Sequence, residues 1–336
     1  MKRVVITGGF GFLGRHLIEE LSAKSPELQL TAVDLQATPP HRREGVRYLG
    51  GVDIGNPESL EEAFRGADGV LHLAGLVSFW SGDRDRLFEI NQVGTRNVAT
   101  ACVRARVRRL VHVSSVAAVG FNDREDEPAN EDLEFDWNLA ANKHYMLSKR
   151  ASEQELRTAA DAGIGVCIGA PGLMYGPGDR TNLPLFRAVQ SGRMAFVPPG
   201  GTNVVDVRDV AAGLRLLLLS DVRDERFILG GHNLRFTEIV RTIAAALRRS
   251  GEARRLPLRL HSPARMAARA FELLWPRRPP VASDLVDSSF RFRYFASHKA
   301  ARTLGWRSRI PFPRTIADTA AQMFRDGALQ PSGGAS

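Results

Sequence analysis

Cysteine is almost absent from this chain. Cys102 and Cys167 are the only two, and they fit neither a disulfide framework nor a zinc site, so a reducing compartment is expected. Lysine is nearly as scarce: five of the 46 basic residues are lysine (Lys2, Lys24, Lys143, Lys149 and Lys299) and the rest arginine. No apolar stretch approaches the length of about 20 residues needed to span a bilayer. A strand pattern begins within three residues of Met1 and leaves no room there for a signal peptide, so a cytoplasmic location is expected. The net charge of +9 and pI near 10.2 invite a nucleic-acid reading. No nucleic-acid motif or basic run interleaved with aromatics supports it, the arginines are scattered, and no nucleic-acid partner is expected. The charge can still help recruit an anionic cofactor or substrate.

What is present begins at the N-terminus. Val4-Val5-Ile6-Thr7 reads as a buried strand, Gly8-Gly9-Phe10-Gly11-Phe12-Leu13-Gly14 follows as a glycine-rich turn, and Arg15 to Leu21 opens a helix. Strand, turn and helix in that order make a site for a dinucleotide diphosphate. Gly8 permits the tight turn, Gly11 the close approach of the diphosphate, and Gly14 the close packing of helix on strand. Strand patterns at Val4–Ile6, Leu30–Asp34, Arg47–Leu49, Gly69–Leu73, Arg109–Ser114 and Gly165–Ile168 alternate with helical runs near Leu13–Ser22, Pro57–Arg65, Asp85–Ala105 and Ala140–Ala160. The alternation predicts an α/β fold, a Rossmann-type doubly wound parallel sheet with a smaller C-terminal substrate-binding region. At 336 residues the chain is long enough for both. The expected division is a nucleotide-binding domain at 1–175, rejoined by 203–220, a substrate region at 176–202 and 221–326, and a disordered tail at 327–336. Further helices are expected at Leu183–Ser191, Val207–Leu219, Thr237–Arg249, Pro263–Leu274 and Phe312–Phe324, with a loop or kink at Pro276–Pro280.

Asp34 lies twenty residues past Gly14, at the end of the second expected strand, where an acid hydrogen-bonds the adenosine ribose. A carboxylate there also repels a 2′-phosphate, which favours NAD over NADP, while Arg42 and Arg43 nearby weigh the other way. Tyr145 and Lys149 are four apart on an expected helix, so both project from one face. A phenol with a pKa near 10 is a poor base at neutral pH, and a neighbouring ammonium stabilises its phenolate. Ser115, at the end of the Arg109–Ser114 strand, would hold the reacting oxygen while Tyr145 passes a proton. Alone, a Tyr-x-x-x-Lys pair is an ordinary surface helix pair; with the glycine turn and the serine it becomes a catalytic set.

At this point the sequence resembles the extended short-chain dehydrogenases/reductases, the NAD-dependent epimerase/dehydratase superfamily, from Val4 to about Thr319. The resemblance rests on seven separated places: Thr7 to Gly14, Asp53-Ile54, His72-Leu73-Ala74-Gly75, Asn91 to Val98, the Ser115, Tyr145 and Lys149 set, Pro171 to Asp179, and Leu304-Gly305-Trp306. It implies cofactor contacts at Gly8, Phe10, Gly11, Phe12, Leu13, Gly14, Asp34, Asp53, Ile54, Leu73, Ala74, Gly75, Tyr145, Lys149, Pro171 and Leu173. Lys149 would tune Tyr145 and hold the nicotinamide ribose. A homodimer packed through the Asp85–Ala105 and Ala140–Ala160 helices is also implied.

Two departures bear on the branch. Gly200-Gly201-Thr202-Asn203 lacks the arginine that nucleotide-sugar epimerases place there, and Ser115 is followed by Val116-Ala117-Ala118 rather than the acids of the sugar dehydratases. The loop Leu76-Val77-Ser78-Phe79-Trp80 carries an aromatic pair that fits an apolar or ring-containing ligand, as in the dihydroflavonol reductase and 3β-hydroxysteroid dehydrogenase branches. Val77, Phe79, Trp80, Ser115 and Met174 are therefore the candidate substrate residues, set against a reading of Phe79 and Trp80 as core filling. The expected function is an NAD(P)-dependent oxidoreductase interconverting a secondary alcohol and a ketone. The alternatives are a nucleotide-sugar epimerase or dehydratase and a non-catalytic NAD(P)-sensing protein. The acids between Asp123 and Asp132 read as a solvated loop. His16, His72, His112 and His144 lack metal-ligand spacing, and no metal is expected. Arg265 to Trp275 is basic and amphipathic; it reads either as a helix packed on the core or as a peripheral membrane contact.

Overall fold

The computed structural model describes residues 1–249, 253–275, 279 and 281–330. The first half runs β1 (Arg3–Thr7), α1 (Phe12–Lys24), β2 (Gln29–Asp34), β3 (Arg47–Gly50), α2 (Pro57–Phe64), β4 (Gly69–His72), α3 (Arg84–Leu87), a π-helical turn (Phe88–Val93), α4 (Gly94–Arg104), β5 (Arg109–Val113), α5 (Val116–Val119), α6 (Trp137–Ala140), α7 (His144–Glu155), α8 (Arg157–Asp161) and β6 (Gly165–Pro171). Then come β7 (Leu173–Tyr175), α9 (Leu183–Gln190), β8 (Phe196–Val197), β9 (Gly201–Asp206), α10 (Val207–Leu219), β10 (Glu225–Leu229), β11 (His232–Arg235), α11 (Phe236–Ala246), β12 (Arg254–Arg255), α12 (His261–Leu274), α13 (Ser283–Ser289), β13 (Phe292–Arg293), α14 (His298–Leu304) and α15 (Phe312–Arg325).

Seven parallel strands form the main sheet in the order β3-β2-β1-β4-β5-β6-β10. Runs such as Val4-Val5-Ile6 and Leu110-Val111 are apolar on both sides because both faces of the sheet are covered. On one face α1 and α10 bury Leu17, Leu21, Leu214 and Leu217; on the other α2, α4 and α8 bury Phe64, Val98 and Ala159. Each fully buried leucine contributes roughly 1.5–3 kcal/mol. Local chemistry sets the element ends: Asn56 accepts from the amides of Glu58 and Ser59, and Pro57 supplies the first turn of α2.

The strand order reverses direction between β1 and β4, and at such a switch point the carboxyl ends of the strands leave a crevice. Gly8 closes it from one side with φ +66, and a Cβ there would lie 2.7 Å from the amide nitrogen of Ala74 beyond β4. A Cβ on Gly14 would meet the carbonyl oxygens of Gly8 and Gly9, each at 2.6 Å.

Several expectations are corrected. The strand at 225–229 belongs to the main sheet, although 221–326 is expected in the substrate region, because β10 pairs with β6 as its outer strand. Residues 203–206 do not return to the nucleotide-binding domain with α10: they lie in β9, the centre of a smaller sheet with β7, β11 and β13. That sheet is backed by α9, α11 and α15 around Phe186, Ile243 and Ile316. The helix expected over Ala140–Ala160 is broken, since Asp136 caps the short α6 and Asn142 takes a left-handed φ of +66 before α7 begins at His144. The helix over Asp85–Ala105 carries the π-helical turn in its middle. The tail expected from Gly327 starts ordered: Leu329 is buried beneath α9, and Arg187 and Gln190 donate to the carbonyls of Ala328 and Gln330. Residues 331–336 lie outside the described residues, as does all but Pro279 of the loop expected at Pro276–Pro280.

The acidic loop is not simply solvated. Asp123 accepts from Arg291 at 2.7 Å and from the amide of Phe292 at 2.8 Å, and Glu131 accepts from the amide of Ile228 at 2.8 Å. A Gly14→Ala substitution should cost about 1–3 kcal/mol through overpacking against the two carbonyls, seen as a lower denaturant midpoint, together with weakened dinucleotide binding. An unchanged midpoint would show that the turn and α1 can move apart at no cost.

Candidate active site

The crevice lies beyond the carboxyl ends of β1, β2, β4 and β5. Gly11 is the N-cap of α1 and carries no side chain to satisfy the first amides of that helix, so these remain for an anion. Asp34 ends β2; one carboxylate oxygen accepts from the amide of Phe10 at 3.1 Å and the other from Gln36 at 3.1 Å. The acid thus steadies the glycine turn from the end of β2. Arg42 packs over the Tyr48 ring at 5.8 Å, and the amide of Arg43 donates to the Tyr48 hydroxyl. Asp53 accepts from Gly55, and Asn97 of α4 holds the carbonyl of Ile54 at 3.0 Å. Leu73 and Ala74 hang on Thr7 through its carbonyl and hydroxyl. Gly75 is exposed, and a Cβ there would stand 3.1 Å from Asn91 Oδ1 and 3.4 Å from Lys149 Nζ. A bare backbone over a buried ammonium, open helix amides and an acid at the end of β2 fit a dinucleotide.

Lys149 is buried, and its ammonium donates to the carbonyl oxygen of Val113 at 3.0 Å. Burial pulls its pKa down to about 8, with the Glu153 carboxylate acting in the opposite sense. Burial also raises the Tyr145 phenol above its ordinary value, and a hydrogen bond with Ser115 partly offsets that rise. The expectation that the Lys149 ammonium brings the phenol toward the neutral range is corrected: burial raises it, and the opposing influence is the hydrogen bond with Ser115. The two groups still share one face of α7, and Ser115 caps α5 through a bond from the amide of Ala117 at 3.2 Å.

Beneath this set the polar groups are neutral. His72 is bonded to Thr7 Oγ1 at 2.7 Å and to Thr95 Oγ1 at 3.1 Å, and desolvation, reinforced by the Lys149 charge, lowers its pKa to about 3. Its ring lies 5.1 Å from that of His112, which is held neutral by burial too. No second cation competes with Lys149 from that side.

The substrate-side candidates separate. Phe79 meets the Tyr145 ring edge-on at 5.6 Å, Val77 is 52% exposed, and Trp80 folds over Gly82. Pro171 ends β6; Leu173 and Met174 run into β7, where Leu173 packs against the substrate-region core and Met174 against the main one.

Two residues outside the chosen set organise it. Asn91, in the π-helical turn, accepts from the amide of Leu76 at 2.7 Å and donates to its carbonyl and to Ser148 Oγ, each at 3.0 Å. Ser148 in turn donates to the carbonyl of Tyr145 at 2.9 Å. One buried amide thus links the Leu76–Trp80 loop to α7. An asparagine inside a helical run, where its propensity is poor, was the available signal. Lys143, two residues before Tyr145, is buried on Asp284 at 2.8 Å and Asp287 at 2.7 Å. Burial would raise the Asp287 carboxyl, but Lys143 and Arg291 override it and hold the group far below the usual carboxylate range. Replacing Asn91 by alanine should cost about 2–4 kcal/mol, because it leaves Leu76 and Ser148 polar groups unpaired; a loss under about 0.5 kcal/mol in denaturant unfolding would contradict the link.

Comparison with known proteins agrees with this geometry. Residues 4–230 match the model of the NAD dependent epimerase/dehydratase family. A Synechocystis sp. protein whose name assigns it provisionally to the dihydroflavonol 4-reductases is 31% identical over 313 residues, 89% of this chain and 88% of its own. The Methylococcus capsulatus sterol demethylase protein B is 30% identical over 249 residues, 70% of this chain and 72% of its own. The crystal structure of gox2253 superposes with a TM-score of 0.82 at 26% identity, covering 98% of this chain and all of that one. The chain belongs to the NAD dependent epimerase/dehydratase family, the extended short-chain dehydrogenases/reductases, and is an oxidoreductase of that family.

Proposed function

We propose that the protein interconverts a secondary alcohol and a ketone on an apolar, ring-containing substrate, with Tyr145 as acid/base, Ser115 as the group that positions the reacting oxygen, and NAD preferred over NADP. The observation that carries this reading is the placement of one phenol: its hydroxyl bonds Ser115, its ring packs against Phe79, and it shares a helix face with a buried ammonium. The nicotinamide, when bound, supplies or accepts the hydride. Tyr145 is protonated at neutral pH and can donate that proton to the oxygen of a ketone being reduced. Lys149 keeps a positive charge beside the resulting phenolate and makes it less costly. Ser115 orients the oxygen by hydrogen bonding, and Phe79 and Val77 offer apolar surface on the substrate side. The names of the flavonoid- and sterol-directed relatives support a ring-containing substrate. Asp34 supports NAD, since its carboxylate would face a 2′-phosphate.

A nucleotide-sugar substrate finds less support. Thr202 and Asn203 are buried, and Asn203 is committed to Gly231 and Asn233 rather than offered to an anion.

Tyr145→Phe should lower turnover about a hundred- to ten-thousand-fold while leaving NADH binding by fluorescence unchanged. Wild-type protein should accumulate NADH in step with ketone when given a sterol or flavonoid alcohol; interconversion of nucleotide sugars with no net NADH would favour the epimerase instead. Lys149 is charged below its lowered pKa and neutral above it. Ketone reduction should therefore hold steady near neutrality and fall as pH rises through about 8. A kcat profile from about pH 6 to 10 with no falling limb in that region would remove Lys149 from the scheme.

A further inference from the structure

Among the described residues no helix is long and apolar enough to cross a membrane, yet α12 presents its most apolar face to water. None of its side chains is buried. Its least exposed positions, His261, Ala264, Ala268 and Glu272, form one stripe toward α13, where Ser283 donates to Glu272 at 3.0 and 2.7 Å. Met266, Ala270, Leu273 and Leu274, spaced i, i+4, i+7 and i+8, form the opposite stripe. Met266 is 69% exposed, Leu273 74% and Leu274 82%. A soluble core helix has this pattern the other way round, so the sequence alternative of packing on the core is not what forms.

Charge names the occupant. From Ala253 to Trp275 there are five arginines and one acid, and that acid is the Glu272 already held by Ser283. Arg269 flanks the apolar stripe and is exposed, Arg265 turns toward α13 with its guanidinium 4.0 Å from Asp287, and Arg259 is exposed in the turn that enters the helix. A water-facing apolar stripe edged by arginine fits a surface that is apolar inside and anionic outside. The position also suits the site. His261 reaches Asp287 at 2.9 Å, Asp287 holds Lys143, and the charge of Arg269 acts on His144, the neighbour of Tyr145.

We propose that α12 docks the protein on an anionic lipid bilayer, with Met266, Leu273 and Leu274 entering the boundary between headgroups and acyl chains and Arg259 and Arg269 meeting acidic headgroups. The proposal does not rest on the chemistry assigned to Tyr145, so either can fail alone. Docking there sets the catalytic helix beside the membrane surface, where an apolar ring compound would be concentrated.

The test is co-sedimentation of the full chain with vesicles of phosphatidylcholine alone or with about one-third phosphatidylglycerol. Wild-type protein should pellet with the anionic vesicles and be released by salt. The double variant Leu273→Glu, Leu274→Glu should lose about ten-fold or more of that partitioning, and Arg269→Gln about five-fold, the effect of one headgroup-facing cation. Both variants should keep the wild-type melting temperature and NADH binding, since the altered side chains are exposed. Wild-type protein that stays in the supernatant with anionic vesicles, or a double variant that pellets like wild type, overturns the proposal. So does a wild-type dimer in light scattering that the double variant dissolves while neither binds vesicles, because the stripe then belongs to a second copy of the chain.

Discussion

Taking the Lys149 ammonium out of water costs desolvation energy, visible as a pKa drawn down to about 8, and much of the surrounding structure compensates for that one charge. The carbonyl of Val113 at the end of β5 receives it, Glu153 one turn further along α7 opposes the shift, and His72 and His112 below stay neutral. Parallel strands ending at one edge of the sheet make this possible, since they bring carbonyl oxygens and glycine turns to the same crevice. Gly75 places no side chain over the ammonium; a Cβ there would press on Asn91 Oδ1 at 3.1 Å and touch Lys149 Nζ at 3.4 Å.

Helix α7, which carries Tyr145 and Lys149, is held at both its start and its middle by polar groups from elsewhere. Lys143 binds α7 to α13 through two carboxylates, and Asn91 binds it to the Leu76–Trp80 loop through Ser148. A buried ion pair such as Lys143 with Asp284 and Asp287 adds little net stability, because desolvation offsets much of the attraction, whereas removing one partner leaves a buried charge uncompensated. The acidic loop contributes to the junction of the two regions through Asp123 on Arg291, while Glu131 ties it to β10 of the main sheet. Asp284 and Asp287 of the substrate region thus connect directly to Lys143, two residues before Tyr145.

The main sheet was largely legible, because fully covered parallel strands read as short apolar runs and one helix between them, α2, carries its own cap, Asn56 before Pro57. The short strands β7, β9, β11 and β13 were not, since two- to six-residue segments carry too little alternation to register and draw their identity from partners far along the chain. The strand at 225–229 escaped for the same reason, although it completes the main sheet. The Ala140–Ala160 helix was overdrawn because Asn142 takes a left-handed φ of +66, a conformation that asparagine tolerates and that ends the helical run.

For the site, spacing alone put Tyr145 and Lys149 on one helix face and placed Ser115 at a strand end, because helical period and strand length are local properties of the chain. The glycine turn and the acid at Asp34 were legible on the same ground. Tertiary structure decided what those groups experience: that burial raises the phenol while it lowers the ammonium, that Phe79 lies against Tyr145, and that Asn91 and Lys143 hold the helix. It also decided that α12 turns its leucines to water, since amphipathic spacing states that a helix has an apolar face and only the packing of the other elements states whether anything covers it.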